Sequence, residues 1–178
     1  MTLEQPLFVT ERLAGRRLTR ADADAMLAVY ADEDAMRFVG DGSAADRAEI
    51  DAWIGVTLGN YATRGYGMVA LEHREDGTVA GFAGLVHPGG QREPELKYAF
   101  HRRYWGLGLA TEAARAMLAW GHGALGLGEI IATIHPDHVV SRRVLERVGM
   151  VSQGLRTDAD GKAEEWFRWR AGVSGPAG

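Results

Sequence analysis

Apolar residues recur along this chain in two kinds of pattern, one typical of helices and one typical of strands. In residues 44–61 large apolar side chains stand three or four positions apart, which places them on one helix face. The same spacing returns from residue 109 into the glycine-rich segment 121–128, and Asp22 is suited to cap a further helix. The pattern predicts helices over residues 22–30, 44–61, 109–121 and 141–148.

Shorter runs rich in β-branched and aromatic residues separate these helices and end at turn residues. Glu-Asp-Gly at residues 75–77 joins two of the runs as a hairpin, because Asp-Gly tolerates positive φ. A second turn at residues 158–161 joins the last two runs, and residues 36–43 are predicted to form a loop. The predicted strands cover residues 12–19, 67–73, 78–86, 95–100, 129–134, 151–157 and 164–170. This order indicates a mixed sheet with helices packed on it, an α/β architecture.

Length and composition are those of one globular domain. The 178 residues are 46% hydrophobic and 25% charged, close to the average of folded domains. No repeat or linker interrupts the pattern, so we expect a single domain over residues 1–171 and a flexible tail over residues 172–178. No apolar run approaches the ~20 residues needed to cross a bilayer, and residues 1–6 lack the features of a secretory signal. The expected location is the cytoplasm.

The chain contains no cysteine, and this excludes several kinds of chemistry. Disulfides, thiolate zinc sites and a cysteinyl-acyl intermediate are impossible. The histidines show no metal-ligand spacing, so no metal is expected. The formal net charge of −4 argues against nucleic acid or an anionic membrane as a partner, because both would favour a basic surface.

The clearest chemical signal lies in the middle of the chain, where a predicted strand ends, small residues follow and a helix begins. Gly106, Gly108 and Ala110 lack bulk at this turn, so successive backbone N–H groups can converge on an anion at the positive end of the helix. Arg102 and Arg103 add positive charge just before it. We therefore predict a diphosphate site, with a tight turn that binds nothing as the alternative.

Two other phosphate-binding motifs fit this turn less well. A Walker loop requires Gly-Lys followed by Ser or Thr, which does not occur here. A dinucleotide-binding turn has a third glycine where this chain has Thr111, although Glu129 lies at a workable distance for an acid that binds ribose. The dinucleotide alternative is weakened and stays open.

These motifs resemble those of the GNAT acetyltransferase superfamily. Arg-x-x-Gly-x-Gly-x-Ala at residues 103–110 resembles the family's pyrophosphate-binding signature, and Ala-Thr-Glu-Ala at 110–113 is similar to its ribosomal-protein N-acetyltransferase branch. Thr-Glu-Arg-Leu at 10–13 resembles the first strand of that branch. The segment 135–150 resembles the family's closing motif, so the resemblance runs through most of residues 9–170 in the family's order.

The resemblance implies a GNAT fold, in which a mixed, mostly antiparallel sheet of about seven strands opens at a central splay and about four helices flank it. The pantetheine arm of coenzyme A would lie in the splay, between the strands at 95–100 and 129–134, with the diphosphate on the glycine turn. His138 stands where the family most often has asparagine, and Arg142 or Arg143 would reach the adenosine 3′-phosphate. The residues that the resemblance assigns to cofactor binding are Tyr98, Ala99, Phe100, Arg103, Tyr104, Gly106, Leu107, Gly108, Leu109, Ala110, Thr111, His138, Ser141 and Arg142.

The implied activity is transfer of an acetyl group, from acetyl-CoA or another short acyl-CoA, to a primary amine. With no cysteine to carry the acyl group, the amine would attack the thioester directly in a ternary complex. Glu95 is the candidate base, acting through water, and Ser141 is the candidate donor to the departing thiolate. A strand carboxylate in an ion pair and a serine that only caps its helix are the alternatives. His138 is a substitute for either group.

The acceptor stays open between a small-molecule amine and a protein N-terminal amine, and the protein would be a monomer or a homodimer. Tyr30, Met36, Phe38 and Trp53 flank the region that covers the acceptor in the family. Two other functions also stay open. One is a non-catalytic acyl-CoA-binding module on the same fold, and the other is a nicotinamide-dependent oxidoreductase with Glu129 on the ribose.

Overall fold

Eight strands form one sheet in the computed structural model, which describes residues 5–173. Their order across the sheet is β1-β2-β3-β4-β5-β6-β8-β7, and every neighbouring pair except β5–β6 is antiparallel. The strands are β1 (Phe8–Val9), β2 (Leu13–Arg17), β3 (Met68–His73), β4 (Val79–Val86), β5 (Glu95–Phe100), β6 (Glu129–Ile134), β7 (Val151–Thr157) and β8 (Ala163–Arg170).

Five α-helices accompany the sheet: α1 (Ala23–Tyr30), α2 (Glu33–Met36), α3 (Arg47–Arg64), α4 (Leu109–Leu125) and α5 (Val139–Arg147). The start of α3 lies three residues after its predicted position because Asp46 caps it. The Asp46 carboxylate accepts from the Glu49 N–H at 2.9 Å, and the Glu49 carboxylate accepts from the Asp46 N–H at 2.9 Å. At the other end Gly65 adopts a left-handed conformation and closes the helix.

The helices cover both faces of the sheet. On one face α4 and α5 bury residues such as Met117 and Leu145 against Val69 of β3. On the other face α1 and α3 pack on the next residue of the same strand, Ala70, together with Phe82 of β4. Successive side chains of a strand point to opposite faces, so these central strands are apolar on both sides.

The sheet opens between β5 and β6, at its only parallel pair. Glu95 and Ile131 are the one paired position, although β5 continues to Phe100 and β6 to Ile134. The Ile131 N–H donates to the Pro94 carbonyl at 2.9 Å just before the strands separate. The predicted central splay is therefore confirmed, and the residues beyond it border a gap.

The predicted α/β fold class is confirmed, with one strand and one helix more than expected. The additional strand is β1, whose two residues are too few to show an alternating pattern. The additional helix is α2, a single turn capped by Asp32. The predicted tail falls mostly on residues 174–178, which lie outside the described residues. Within residues 5–173, no helix combines the length and the hydropathy needed to cross a membrane.

Candidate active site

The start of α4 has the backbone conformation that a turn needs to bind an anion. Gly106 and Gly108 both have positive φ, of 73° and 78°, and Gly108 is the N-cap of a helix of 17 residues. A side chain at either position would be strained, since left-handed backbone disfavours all residues except glycine. The first N–H groups of a helix lack acceptors within the helix. The turn therefore presents backbone donors and the positive end of the helix dipole to one point.

A carboxylate from α4 ties this turn to the opposite end of the sequence. Glu112 accepts hydrogen bonds from Thr10 Oγ1 at 2.6 Å, from the Arg12 N–H at 2.8 Å and from Arg12 Nε at 2.8 Å. Arg12 Nη1 then donates to the Leu107 carbonyl, at 2.7 Å, inside the turn itself. Burial alone would raise the pKa of Glu112, but the hydrogen bonds from Thr10 and Arg12 outweigh it and lower this pKa below its ordinary value.

The two arginines before the turn point away from it. Arg102 is bound to Asp32 and Asp34, with both closest contacts at 2.6 Å. The guanidinium of Arg103 donates to Thr78 Oγ1 at 2.6 Å and lies over the ring of Tyr104. Their charge is thus already paired, and the turn relies on backbone donors.

Several residues assigned to the cofactor contribute only backbone to this region. Tyr104 and Leu109 bury their side chains in the core between the sheet and α4, while the side chain of Leu107 is exposed. The carbonyl of Phe100 accepts from the indole Nε1 of Trp105 at 2.8 Å. Ala99 packs in the core on the other face of the sheet.

The wall of the gap on the α5 side contains a hydroxyl pair. Tyr98 and Ser141 lie with Oη and Oγ 2.6 Å apart, joining β5 to α5. Burial raises the pKa of Tyr98 to about 12, and its hydrogen bond with Ser141 offsets only part of this. Ser141 lies within the first turn of α5, and the N-cap is His138. The alternative that Ser141 serves only as the helix cap is therefore wrong, because α5 begins two residues before it.

Backbone groups of β5 also face the gap. The carbonyl of Pro94 points toward β6, where it accepts from Ile131. Alternate residues of a strand direct their N–H and C=O groups to the same side. Leu96 and Tyr98 therefore present backbone groups to the gap.

On the other face of β5, the buried carboxylate of Glu95 lies in a cluster of polar side chains. Only 2% of Glu95 is exposed, and its Oε1 contacts Lys97 Nζ and accepts from Thr133 Oγ1 of β6. Its Oε2 accepts from Gln91 Nε2 at 3.1 Å. Lys97 Nζ also donates to Thr133 Oγ1 at 3.3 Å. Glu95 is thus held by three side chains, and Lys97 lies between it and open space.

A cavity of about 790 Å³ connects this cluster with the hydroxyl pair. Tyr30, Phe38 and Trp53 line it, whereas Met36, expected beside them, is buried in the core. Phe38 stacks on His138 with ring centres 4.8 Å apart. Burial and the nearby His135 lower the pKa of His138, so its imidazole is neutral at pH 7.

Three further side chains from the sequence analysis have protein partners or face solvent. Arg142 Nη2 lies 2.6 Å from Glu165 Oε2 and donates to the Pro136 carbonyl, so it would have to leave Glu165 to reach a phosphate. Arg143, also on α5, is exposed. Glu129 is paired with two arginines of β8 and is not free for a ribose. No cluster of three or more potential metal ligands occurs among the described residues.

Three contacts of this site were not predicted from the sequence. Lys97 follows Glu95 by two positions, and the alternation of a strand could have placed both on one face. The contact between Arg12 and Glu112 joins the motifs at residues 10–13 and 110–113, which lie far apart in the sequence. Thr133 carried no local signal, because its place beside Glu95 depends on the register between β5 and β6.

Comparisons with known proteins agree with this geometry. The family model described as acetyltransferase (GNAT) domain matches residues 12–151. The N-acetyltransferase YnaD of Bacillus subtilis, itself uncharacterized, is 26% identical over 160 residues, covering 90% of this chain and 91% of YnaD. An acetyltransferase from Agrobacterium tumefaciens is 27% identical with a TM-score of 0.75, covering 96% of this chain and 97% of its own. The ribosomal alpha-N-protein acetyltransferase RimL, solved in complex with coenzyme A, shares the fold at 13% identity, with a TM-score of 0.77 and coverage of 93% and 98%.

Proposed function

This chain belongs to the GNAT acetyltransferase family, and we propose that it transfers an acetyl group from acetyl-CoA to a primary amine by direct attack in a ternary complex. The observation that carries the proposal is the position of the glycine turn of α4 directly after β5, the strand that opens from β6. On this proposal, a diphosphate at the glycine turn and a pantetheine arm in the gap between β5 and β6 would be neighbours. RimL, which has the same fold, was solved with coenzyme A.

The residues present fit a coenzyme A diphosphate at the turn. A Cβ built at Gly106 meets no atom within 4 Å, so the space beside the turn is open. The donors there are backbone N–H groups from Gly106 to Thr111, which suit phosphate oxygens. The pantetheine arm would follow the gap past Tyr98, and its thioester supplies the activated acetyl group. Of the two candidates for the 3′-phosphate, Arg142 is paired with Glu165, whereas Arg143 is exposed to solvent.

Direct attack requires a neutral amine at the thioester. Alkyl amines have pKa values near ~10, so a proton acceptor is needed at neutral pH. Glu95 is the carboxylate beside the opening of the gap, and its burial and hydrogen bonds hold it in one position. Because Lys97 separates it from the cavity, we assign it the role of a base acting through water. The chain has no cysteine, so a cysteinyl intermediate plays no part.

The leaving thiolate requires a proton or a hydrogen-bond donor on the opposite wall of the gap. Tyr98 Oη and Ser141 Oγ share one hydrogen bond, and Tyr98 Oη also lies 3.5 Å from the Ser141 carbonyl. Turning from that long contact would give a sulfur atom one hydroxyl hydrogen. Tyr98 stays protonated through the neutral range because its pKa is raised to about 12. We therefore assign this pair, rather than Ser141 alone, to the thiolate.

The first test is thermal stability with coenzyme A, acetyl-CoA and NAD, followed by release of free coenzyme A with a panel of amines. A ligand at 100 times its Kd stabilises the fold by about 2.7 kcal/mol, which gives a clear shift. We expect a shift with both coenzyme A species and none with NAD. Binding of acetyl-CoA without turnover of any amine would instead indicate a non-catalytic acyl-CoA-binding module.

The second test separates the role of Glu95 from binding. We expect Glu95→Gln to lower kcat by about 100-fold or more, the lower end of general base catalysis, with the coenzyme A shift retained. Unchanged kcat across the pH range would show that water alone takes the proton.

A further inference from the structure

Lys97 is a charged side chain that lines the cavity beside Glu95, the proposed base. Its side chain is 40% exposed and lines the cavity, whereas that of Glu95 is 3% exposed behind it. The cluster therefore presents its positive end to the acceptor. A second ammonium would be repelled at this point, and an anionic or carbonyl oxygen would be attracted.

The ammonium of Lys97 has a hydrogen-bond donor to spare. It carries three N–H groups, of which one contacts Glu95 and one donates to Thr133. Both partners belong to β5 and β6, and Lys97 lines the cavity, so the third N–H is available to a ligand there. Because Glu95 and Thr133 hold the nitrogen in place, little side-chain entropy remains to be lost when a ligand oxygen binds.

The remaining charges around the cavity favour the same kind of acceptor. Besides Lys97, the charged residues that line it within the described part of the chain are Asp158, Lys162 and Glu164. Glu164 is paired with Arg156 at 2.5 Å, and Asp158 accepts two backbone N–H groups of its own turn. Within residues 5–173, Glu164 is thus neutralised by Arg156, whereas Asp158 has no ion-pair partner and lies in the turn between β7 and β8.

The use of lysine in this chain is restricted to this cavity. Of the 20 lysine and arginine residues, only Lys97 and Lys162 are lysines, and both line it. A lysine ammonium is a compact point charge with rotatable donors, while arginine presents a broad planar fork. The two lysines therefore place compact cations where space for a ligand is needed.

We propose that Lys97 binds a carboxylate on the acceptor, so that the substrate is an amino acid rather than a polyamine or a simple alkyl amine. The inference rests on the proposed acetyl transfer and names its acceptor class. The carboxylate would take the free N–H of Lys97 while the neighbouring amine faces the gap. Met26, Tyr30 and Trp53 make the surrounding wall apolar, which suits an uncharged side chain.

The experiment compares leucine with leucinamide, isoamylamine and spermidine as acceptors, in the wild type, Lys97→Met and Lys97→Arg. Isoamylamine is leucine without its carboxylate, so the ratio of the two kcat/KM values isolates that group. We expect Lys97→Met to lower the ratio by about 10- to 100-fold, mainly through KM for leucine, as for a hydrogen bond to a charged group. Lys97→Arg keeps the charge but adds the broader guanidinium, so it should retain only part of the ratio.

Lys162→Met is the matched comparison, because it removes the other lysine of the same cavity. Lys162 lies in the turn between β7 and β8, and its Nζ lies 3.4 Å from the Gly40 carbonyl. We expect it to change the ratio by no more than about fivefold, the upper range for an exposed charge. The coenzyme A thermal shift of each variant reports that the fold is intact.

Two results would overturn the proposal. One is an equal loss for leucine and isoamylamine in Lys97→Met, which would mean that Lys97 acts only through Glu95. The other is spermidine as the best wild-type acceptor. If the wild type acetylates no amine, calorimetric binding of leucine and isoamylamine to its coenzyme A complex still tests Lys97. Failure of the activity and failure of the carboxylate site therefore give different results.

Discussion

Replacing Glu112 by alanine removes the carboxylate that ties the start of α4 to the residues before β2. Three donors lose their acceptor at once, since Thr10 Oγ1, the Arg12 N–H and Arg12 Nε all bind this side chain within 2.8 Å. The Glu112 side chain is only 16% exposed, so water does not readily replace it. A hydrogen bond to a charged group contributes about 1.5–3 kcal/mol, but these three share one carboxylate, so we expect a total loss of about 2–3 kcal/mol.

The loss of these hydrogen bonds should lower both Tm and the affinity for coenzyme A. In a domain of this length each kcal/mol lowers Tm by about 2–4 °C, so Tm should fall by roughly 5–10 °C. Arg12 Nη1 also anchors the Leu107 carbonyl, and with Glu112 gone the turn loses this tether. We therefore expect Kd for coenzyme A to rise by about tenfold, which corresponds to ~1.4 kcal/mol. Calorimetry and coenzyme A titration measure the two effects on the same sample.

The pH dependence gives an independent check. The pKa of Glu112 is lowered in the folded state, so its stabilising effect is complete above its ordinary value of 4.5 and is lost as the pH falls through the folded-state pKa. The difference between wild type and Glu112→Ala should be constant near neutral pH and shrink in acid.

Glu129→Ala is the matched control for this prediction. Glu129 pairs with Arg168 and Arg170 at a site that is 36% exposed, so its loss should cost at most about 1 kcal/mol and leave coenzyme A binding unchanged. If Glu112→Ala is destabilised but binds coenzyme A with the wild-type Kd, the tether does not shape the turn. If Glu112→Ala is no less stable than Glu129→Ala, the hydrogen bonds of Glu112 contribute no more to the free energy of unfolding than an exposed ion pair does.

Three further substitutions test the turn and the hydroxyl pair. Gly108 and Gly126 lie at the two ends of α4, and replacing either by alanine forces alanine into positive φ. Each substitution should lower the free energy of unfolding by about 1–2 kcal/mol in thermal melts, but only Gly108→Ala should weaken coenzyme A binding. Equal Kd values for the two variants would show that Gly108 is purely structural. The pKa of Tyr98 near 12 means that subtracting the ultraviolet spectrum of Tyr98→Phe at pH 10 from that of the wild type should reveal no phenolate. A phenolate signal at pH 10 would show that Tyr98 is solvated.

Regular patterns made most of the fold predictable. The strands β5, β6 and β7 begin and end at the predicted residues, because turn residues or glycine flank each one. α5 was misplaced by two residues at its start, since His138 is an unusual N-cap and Ser141 a common one. The two shortest elements were missed, because two or four residues cannot display a period.

At the site, the conformation of the backbone can be understood from the sequence, whereas the partner of a long side chain cannot. The positive φ of Gly106 and Gly108 follows from residue type and position. The direction of the Arg103 guanidinium does not, because Thr78, its partner, lies 25 positions away. The same holds for Arg142 and Glu165, whose contact depends on how β8 lies beside α5.

The opening between β5 and β6 is a sheet edge placed inside a sheet. Exposed edges invite pairing with other molecules, and proteins usually protect them with charges, bulges or short length. Here contacts from Lys97 to Thr133 and from Tyr98 to Ser141 bridge the opening on opposite faces. A strand of another chain would have to pass these side-chain contacts to reach the backbone groups of β5, whereas the proposed pantetheine arm, which has no bulky side chains, would not. The protein can offer backbone groups for recognition without the aggregation risk that they carry at an outer edge.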